Sequence, residues 1–205
     1  MPTLLPRSAP RWLIDPAVAV LSRLGVTPNM LTLAGVLGNA GAGVLAGYGE
    51  LLAAGIVLLA ASSLDLLDGA LARSTGRATP FGSVFDAVMD RVSEAAVLFG
   101  LLVYYTDRGD RTETLLIFVA VAGSMLVSYV RARAEIIGLR LREGLFTRAE
   151  RVILLGAGLI VDGAGIIDVL TPVLWILAIL ASATALQRLA LVWLQTRERQ
   201  PDDPP

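Results

Sequence analysis

The sequence predicts an all-α integral membrane protein with six transmembrane helices and an N-terminal amphipathic helix that lies in the membrane interface. Apolar residues make up 55% of the 205 residues and charged residues only 17%, which separates this chain from ordinary soluble domains. The apolar residues are grouped in long segments, most of which reach the roughly 20 residues that a membrane-spanning helix needs. We therefore expect one membrane domain over residues 1–196 and a polar, disordered tail over residues 197–205.

The first predicted element is a short amphipathic helix over residues 10–24. Trp12 and Val18 are among its apolar residues, and Arg11 and Asp15 lie between them. A helix with one apolar face and one charged face is stable in the plane of the membrane surface. We therefore place this segment in the membrane interface, ahead of the first span.

Six apolar segments follow, and each is predicted to cross the lipid bilayer once. The fifth is the weakest, because Asp162 and the glycines that follow it shorten the apolar run. The first carries small residues at four-residue spacing, which predicts a seam of close helix packing along Ala34, Gly38, Ala42 and Ala46. The six segments are about 30–48, 51–72, 84–105, 113–137, 150–167 and 170–194.

The positions of the arginines predict the orientation of these spans. The chain has no Lys, so Arg supplies all 17 basic residues. The loops after the first, third and fifth spans hold only Arg108 and Arg111, and the other arginines lie toward the opposite side. Because basic residues are enriched on the cytoplasmic side of membrane proteins, we expect a multi-pass protein of the cell membrane with both termini in the cytoplasm.

The residue types that are missing also limit the chemistry. Without Cys, the chain has no thiolate nucleophile, no disulfide and no Cys-based zinc site. Without His, a general base has to be another group, and a carboxylate is the first choice. Without Lys, neither a Schiff base nor a phosphate-binding lysine is available, but arginine can still bind phosphate with two parallel hydrogen bonds.

Four aspartates at the predicted cytoplasmic ends of the second and third spans form the candidate site. A carboxylate in hydrocarbon costs roughly 2.5 kcal/mol or more, so a cluster of them indicates a bound cation or a function. Asp65 and Asp68 are three residues apart, and Asp86 and Asp90 are four residues apart, so each pair shares one face of its helix. We expect both pairs to point at one place, which is predicted to be the cytoplasmic face.

Carboxylate oxygens without nitrogen or sulfur ligands favour hard cations such as Mg²⁺ or Mn²⁺. Two such ions, about 3.5–4 Å apart, would hold a reacting phosphate between them. The alternative is structural, with the aspartates forming ordinary ion pairs with Arg73, Arg77 and Arg91. The small residues between the acids favour the metal site, since they leave room beside the carboxylates for a ligand.

The spacing of these residues resembles the signature of the CDP-alcohol phosphotransferases. That family transfers the lipid together with the β-phosphate of a CDP-linked lipid to an alcohol: the hydroxyl attacks the β-phosphorus and CMP leaves. The resemblance implies that Asp65, Asp68 and Asp86 hold two metal ions, and that Asp90 touches the second ion and takes the hydroxyl proton. It also implies a homodimer. The matching residues read Asp65-x-x-Asp68-Gly69-x-x-Ala72-Arg73, then Gly82-x-x-x-Asp86-x-x-x-Asp90.

The same resemblance implies a set of residues around the CDP-lipid. Asn29 could read the edge of the base and Arg73 could bind a phosphate. The alternative for the first part of this set is that Pro28 and Asn29 only begin the first span, since proline is common at helix starts. The implied residues are Asn29, Met30, Leu31, Thr32, Gly69, Arg73 and Thr79.

A group of arginines in the last three spans is predicted to bind the phosphate of the acceptor. The surrounding sequence is similar to that of bacterial family members whose acceptor is inositol phosphate. Two alternatives remain: these arginines could anchor the helices at the lipid headgroups, and Arg131 could pair with Glu135 one turn on. The predicted acceptor residues are Arg131, Arg133, Arg151 and Arg188.

The sequence therefore predicts an enzyme that joins the phosphatidyl group of CDP-diacylglycerol to inositol phosphate, with no nucleic acid as partner. A family member that uses glycerol 3-phosphate is the nearest alternative, and an ether lipid is a possible donor. A divalent-cation transporter is the alternative from another class, because carboxylates inside membranes also mark ion pathways. The absence of acidic residues that continue across the bilayer argues against transport.

Overall fold

The computed structural model describes residues 11–76, 79–139, 141, 144 and 146–198, without the side chains of residues 11–15, 66 and 198. These residues form a bundle of seven α-helices. In chain order the helices are α1 (Arg11–Arg23), α2 (Pro28–Gly47), α3 (Leu51–Ser74), α4 (Pro80–Arg108), α5 (Arg111–Ile136), α6 (Arg148–Gly163) and α7 (Leu170–Glu198).

Four of the seven helices are long and apolar enough to cross a membrane, namely α2, α3, α5 and α7. The all-helical membrane fold is therefore confirmed, and four of the six predicted spans meet this criterion. Helix α4 has the length but carries acidic and basic side chains in its first half, whereas α6 has only 16 residues. Helix α7 also continues past the predicted start of the tail at residue 197, and residues 199–205 lie outside the described part of the chain.

Helices α2 and α4 begin in the same way. In each, a threonine precedes a proline at the first helical position. Proline is tolerated there because the N–H that it lacks would have no partner within the helix. The hydroxyl oxygen of Thr27 accepts a hydrogen bond from the Met30 N–H, and that of Thr79 accepts one from the Gly82 N–H. For α4 this cap moves the helix start four residues ahead of the predicted segment.

The packing brings α2, α3 and α4 together at the centre of the bundle. Helix α2 lies against both α3 and α4, α3 also contacts α6, and α5 packs against α4 and α7. The backbones of α2 and α4 approach so closely that a Cβ atom on Gly100 would overlap the carbonyl group of Gly43. Small residues permit this approach, as they do in other membrane helix pairs.

The predicted seam of small residues on α2 is only partly correct. Ala42 and Ala46 are fully buried, and a Cβ atom on Gly38 would meet the Ala61 side chain at 2.7 Å. Ala34, however, is exposed, and Gly35 is buried instead. Helix α2 contacts two neighbours, α3 and α4, so its buried small residues lie on more than one face. A strict four-residue repeat follows only one face.

Helix α1 packs on the ends of α2 and α3 through Val18, which forms a small apolar cluster with Leu31 and Leu71. Leu24, at its C-terminal end, is exposed. One face of α1 therefore packs on the bundle, and its placement in the membrane interface stays a prediction. The cluster also fixes the segment between α1 and α2, from which the first residues of the candidate site come.

Candidate active site

A cleft of about 230 Å³ opens between the first turns of α2 and α4 and the last turns of α3. We call this part of the molecule the acidic end of the bundle. The cleft combines two carboxylates, several small residues, one arginine and the capping residue of α4. Its lining residues are Pro28, Asn29, Thr32, Asp68, Gly69, Ala72, Arg73, Thr79, Gly82, Ser83 and Asp86.

Five of the seven residues predicted to surround the CDP-lipid line this cleft: Asn29, Thr32, Gly69, Arg73 and Thr79. Met30 and Leu31 do not. Met30 is 56% exposed, and Leu31 is buried in the cluster beneath α1. Consecutive residues of a helix point in directions about 100° apart, so a run of four cannot face one cleft, and only the first and last members of the run do so.

Asp68 is the most deeply placed carboxylate of the cleft, with 5% of its surface exposed. The Thr32 hydroxyl donates a hydrogen bond of 2.7 Å to the Asp68 Oδ2 atom. This bond joins α2 to α3, and it links a predicted nucleotide residue directly to a predicted metal ligand. A charged oxygen that is buried needs such a partner, because it has lost its contacts with water.

The four aspartates lie close enough together for their charges to interact. Asp68 interacts with Asp65 and Asp86, and Asp90 interacts with the same two residues. Close approach is possible at Asp65 because Gly35 of α2 lies next to it, and a Cβ atom there would come within 3.1 Å of the Asp65 Oδ1 atom. Four like charges in one place repel each other, so the site has to contain positive charge.

Part of that positive charge is Arg148, in the first turn of α6. The Arg148 Nη1 atom lies 2.7 Å from the Asp65 Oδ2 atom and 2.8 Å from the Asp90 Oδ1 atom. All three side chains are largely buried, with between 15% and 19% of their surface exposed. Arg148 thus connects α3, α4 and α6 at a single point.

The chemistry of these residues suits a divalent cation, since four carboxylates supply only oxygen ligands and two of them line the cleft. In the part of the chain that the structure describes, no three acidic side chains are already arranged around one metal position. The guanidinium group of Arg148 explains this, because it occupies the space between Asp65 and Asp90. Metal ligation by all four aspartates, as the sequence predicts, requires those two side chains to share their oxygens with Arg148 or to turn.

The predicted acceptor residue Arg151 has a different environment from the one expected. Its side chain is 4% exposed, and each of its three nitrogens donates a hydrogen bond. The acceptors are both carboxylate oxygens of Glu94, the Ser124 hydroxyl and the Phe146 carbonyl. This placement departs from the predicted role, because Arg151 would have to give up these partners to bind a phosphate.

The other three predicted acceptor arginines are more accessible. Arg188 donates a hydrogen bond to the Val127 carbonyl, and its charge interacts with that of Arg131. Arg131 forms the ion pair with Glu135 that the sequence allowed, at 3.0 Å and with both side chains more than half exposed. Arg133 is exposed and points about 200° away from Arg131 around α5, so the two arginines do not face the same position.

The main residues that the sequence interpretation missed are Arg148 and Glu94. Glu94 follows Asp86 and Asp90 at the same four-residue spacing, so it continues their face of α4, and that repeat could have identified it. Arg148 has no comparable local signal. Its partners come from two other helices, and only the packing of α6 against α3 brings them together.

Comparison with known proteins gives the class of protein that this fold and cleft define. The chain belongs to the CDP-alcohol phosphatidyltransferase family, whose family model matches residues 25–193. The family assignment made from the aspartate signature is therefore confirmed, and with it the assignment to the enzymes of phospholipid synthesis.

Two similar proteins of this family are named for related products. The chain is 36% identical over 199 residues to the phosphatidylinositol phosphate synthase of Mycobacterium tuberculosis, covering 92% of this chain and 89% of that protein. It is 39% identical over 173 residues to the archaetidylinositol phosphate synthase of Pyrococcus horikoshii, covering 82% and 84%. Both names contain inositol phosphate, and they differ in the lipid part.

Solved structures of the M. tuberculosis enzyme share the fold. The form with CDP-DAG bound has a TM-score of 0.82 and 34% identity, and the match covers 89% of this chain and 94% of that one. The form in complex with manganese and citrate has a TM-score of 0.81 and 35% identity, with coverage of 87% and 88%. In that relative, the fold accepts a CDP-linked lipid and a divalent metal.

Proposed function

We propose that this protein transfers the phosphatidyl group from CDP-diacylglycerol to a hydroxyl group of inositol phosphate and releases CMP. The observation that carries the proposal is the cleft at the acidic end. Asn29, Thr32, Gly69, Arg73 and Thr79 line it together with Asp68 and Asp86, so five of the predicted nucleotide residues and two of the predicted metal ligands share one space. The similarity to phosphatidylinositol phosphate synthases over nine-tenths of the chain supports inositol phosphate as the acceptor.

Different residues of the cleft would bind different parts of the CDP-lipid donor. Arg73 supplies the positive charge for a phosphate, and the glycines at positions 69 and 82 leave space for the diphosphate to approach the helix backbones. The first turns of α2 and α4 contribute N–H groups that have no partner within their helices. Asn29 lies in the first turn of α2, where its side-chain amide can hydrogen-bond to the edge of the cytosine base.

Asp65, Asp68, Asp86 and Asp90 would hold two ions, either Mg²⁺ or Mn²⁺. When bound, such ions neutralise negative charge on the diphosphate and make CMP a better leaving group. Thr32 keeps Asp68 oriented through its hydrogen bond. Asp90 takes the proton from the acceptor hydroxyl as its oxygen forms the new bond to the β-phosphorus, and the bond from that phosphorus to CMP breaks.

The acceptor phosphate is expected beside Arg188 of α7 and Arg131 of α5. Arg133, two residues further along α5, is the remaining predicted acceptor residue. Arg188 is half-buried and its charge interacts with those of Arg131, Arg151 and Arg91, so α4, α5, α6 and α7 each contribute an arginine to one region. Such a concentration of positive charge is costly unless an anion compensates for it. The charge of Arg91 interacts with those of Arg151 and Arg148, which supports an anion site close to the aspartates.

In the membrane, α4 and α6 would cross the bilayer together with the four helices that meet the length and hydropathy criterion, giving six spans. The charged first half of α4 packs against α2, and its Asp90 and Glu94 pair with Arg148 and Arg151 of α6. Residues 1–196 would form one domain, with α1 in the interface and the acidic end in the cytoplasm. A homodimer is also part of the proposal.

The acceptor assay tests the function directly. The purified protein in detergent with Mg²⁺ is expected to release CMP from CDP-diacylglycerol when inositol phosphate is added, and to produce none with inositol phosphate when Asp90 is replaced (Asp90→Asn). The variant should still bind CMP, because Asp90 does not line the cleft. Normal turnover in Asp90→Asn would remove this residue from the mechanism.

Two further arms of the assay separate the alternatives. CMP release with glycerol 3-phosphate but not with inositol phosphate would overturn the proposed acceptor. An ether-linked donor is the second candidate, favoured by the similarity to the archaetidylinositol phosphate synthase. Comparison of ester-linked and ether-linked CDP-lipids at equal concentration decides between them. Absence of CMP in every arm, together with divalent-cation uptake into liposomes, would favour a transporter.

A further inference from the structure

Arg148 and Arg151 form two successive contacts between α6 and α4. On α6 the two arginines are three residues apart, and on α4 their partners Asp90 and Glu94 are four residues apart. Residues at these spacings lie on one face of a helix, so the two faces match each other along about one turn. The contacts differ in burial: the Arg151–Glu94 pair is 4% and 10% exposed, whereas Arg148 and Asp90 are each 19% exposed.

The more deeply buried contact, between Arg151 and Glu94, holds the first turn of α6 in place. Glu94 accepts hydrogen bonds from Arg151, Ser124 and Arg91, which ties α4, α5 and α6 together. The first turn of α6 is also closed by a capping box, in which the Glu150 carboxylate accepts a hydrogen bond of 2.6 Å from the Thr147 N–H. The backbone at Arg148 is therefore held independently of the Arg148 side chain.

We propose that Arg148 is a positioning residue that holds the Asp90 carboxylate in the orientation in which it accepts the proton of the acceptor hydroxyl. This inference rests on the proposed function. A single nitrogen, Nη1, contacts Asp65 on one side and Asp90 on the other, so it sets the distance between a metal-binding carboxylate and the base. The contact uses the Oδ1 atom of Asp90, which a bound ion would share with Arg148, and leaves the Oδ2 atom to accept the proton.

Electrostatics explains why such a residue is required. The charge of Asp90 interacts unfavourably with those of Asp65 and Asp86 and favourably with that of Arg148. Without the guanidinium group, repulsion would turn the Asp90 side chain away from the other carboxylates. A displacement of about 1 Å at a reacting group can reduce the rate about 100-fold, so the orientation matters more than the charge alone.

The test compares Arg148→Gln and Arg148→Lys with wild type and with the control Arg108→Gln. Arg108 lies at the far end of α4, about 27 Å from Asp90 along the helix, and its loss changes the net charge in the same way. Arg148→Gln is expected to reduce kcat about 100-fold, with the KM for CDP-diacylglycerol and the melting temperature near those of wild type. Arg148→Lys is expected to restore part of kcat, since it keeps the charge but not the planar geometry.

Mn²⁺ binding, measured by electron paramagnetic resonance without substrates, supplies a second readout. Arg148→Gln is expected to bind Mn²⁺ as tightly as wild type or more tightly, because a positive charge beside the carboxylates has been removed. If Arg148→Gln fails to fold, Arg148→Lys carries the test, and a kcat between those of wild type and Asp90→Asn supports the proposal.

Three results would overturn the inference. The first is a wild-type kcat in Arg148→Gln, or in Arg148→Lys where only that variant folds. The second is a joint loss of Mn²⁺ binding and melting temperature in Arg148→Gln, which indicates a purely structural role. The third is a wild-type protein that releases no CMP with any acceptor, which ends the proposed function as well. The first two results leave the proposed function standing.

Discussion

At the scale of single residues, the hydrogen bond from Thr32 to Asp68 has the clearest consequence. Replacement of Thr32 by valine keeps the shape of the side chain but leaves a buried carboxylate oxygen without its donor. A hydrogen bond to a charged group contributes about 1.5–3 kcal/mol. We expect Thr32→Val to lower the melting temperature and to weaken Mn²⁺ binding, as measured by thermal unfolding and electron paramagnetic resonance.

Thr32→Ser is the matched control for that substitution, since serine retains the hydroxyl group. It should keep most of the stability and of the Mn²⁺ affinity that Thr32→Val loses. Equal behaviour of the two variants would mean that packing of the threonine methyl group, and not the hydrogen bond, is what the site needs.

The residue scale also shows what local sequence can and cannot reveal. The spacing of Asp65, Asp68, Asp86 and Asp90 gave their common location because helix geometry fixes which residues share a face. The position of Arg148 depended on how α6 packs against α3 and α4, which no local pattern encodes. The contact between Arg151 and Glu94 was not foreseen for the same reason, since the two residues are distant in the chain.

At the scale of helices, the contact between α2 and α4 determines the shape of the cleft, which opens between their first turns. Gly100→Ala would place a methyl group against the Gly43 carbonyl, so the two helices would have to separate. We expect a lower melting temperature in detergent and reduced CMP release. Gly41→Ala, where no atom lies within 4 Å of the added Cβ atom, is the control and should be neutral or stabilising by roughly 0.5–1 kcal/mol. A wild-type melting temperature in Gly100→Ala would contradict this packing.

The number and order of the helices were predictable because their apolar runs are long, but their ends were less so. Capping by Thr79 makes α4 begin at Pro80, and because Pro80, Gly82 and Ser83 interrupt the apolar pattern, this first turn was not recognised from the sequence. Helix α6 ends at Gly163, earlier than predicted, and the Asp162 carboxylate then accepts hydrogen bonds from the N–H groups of Val169 and Leu170. These hydrogen bonds cap the start of α7 across the loop between the two helices, and the sequence pattern did not indicate them.

At the scale of the whole molecule, the proposed orientation can be tested with cysteines, since the natural chain has none. Ser22→Cys lies at the end of α1, and Thr112→Cys lies in the first turn of α5, and both positions are exposed. In intact cells, a membrane-impermeant maleimide should label Thr112→Cys and leave Ser22→Cys unlabelled until the membrane is opened. The reverse pattern would place the acidic end outside the cell.

The two Thr-Pro helix starts have a consequence for how the molecule first meets its negatively charged ligand. Helices α2 and α4 both direct their N-terminal ends at the cleft, and each end carries about half a positive elementary charge from its aligned peptide dipoles. This field comes from the backbone, so neither a change of pH nor the loss of one side chain can abolish it. A diphosphate entering from the membrane surface would encounter an attractive potential before any ion or arginine had closed around it.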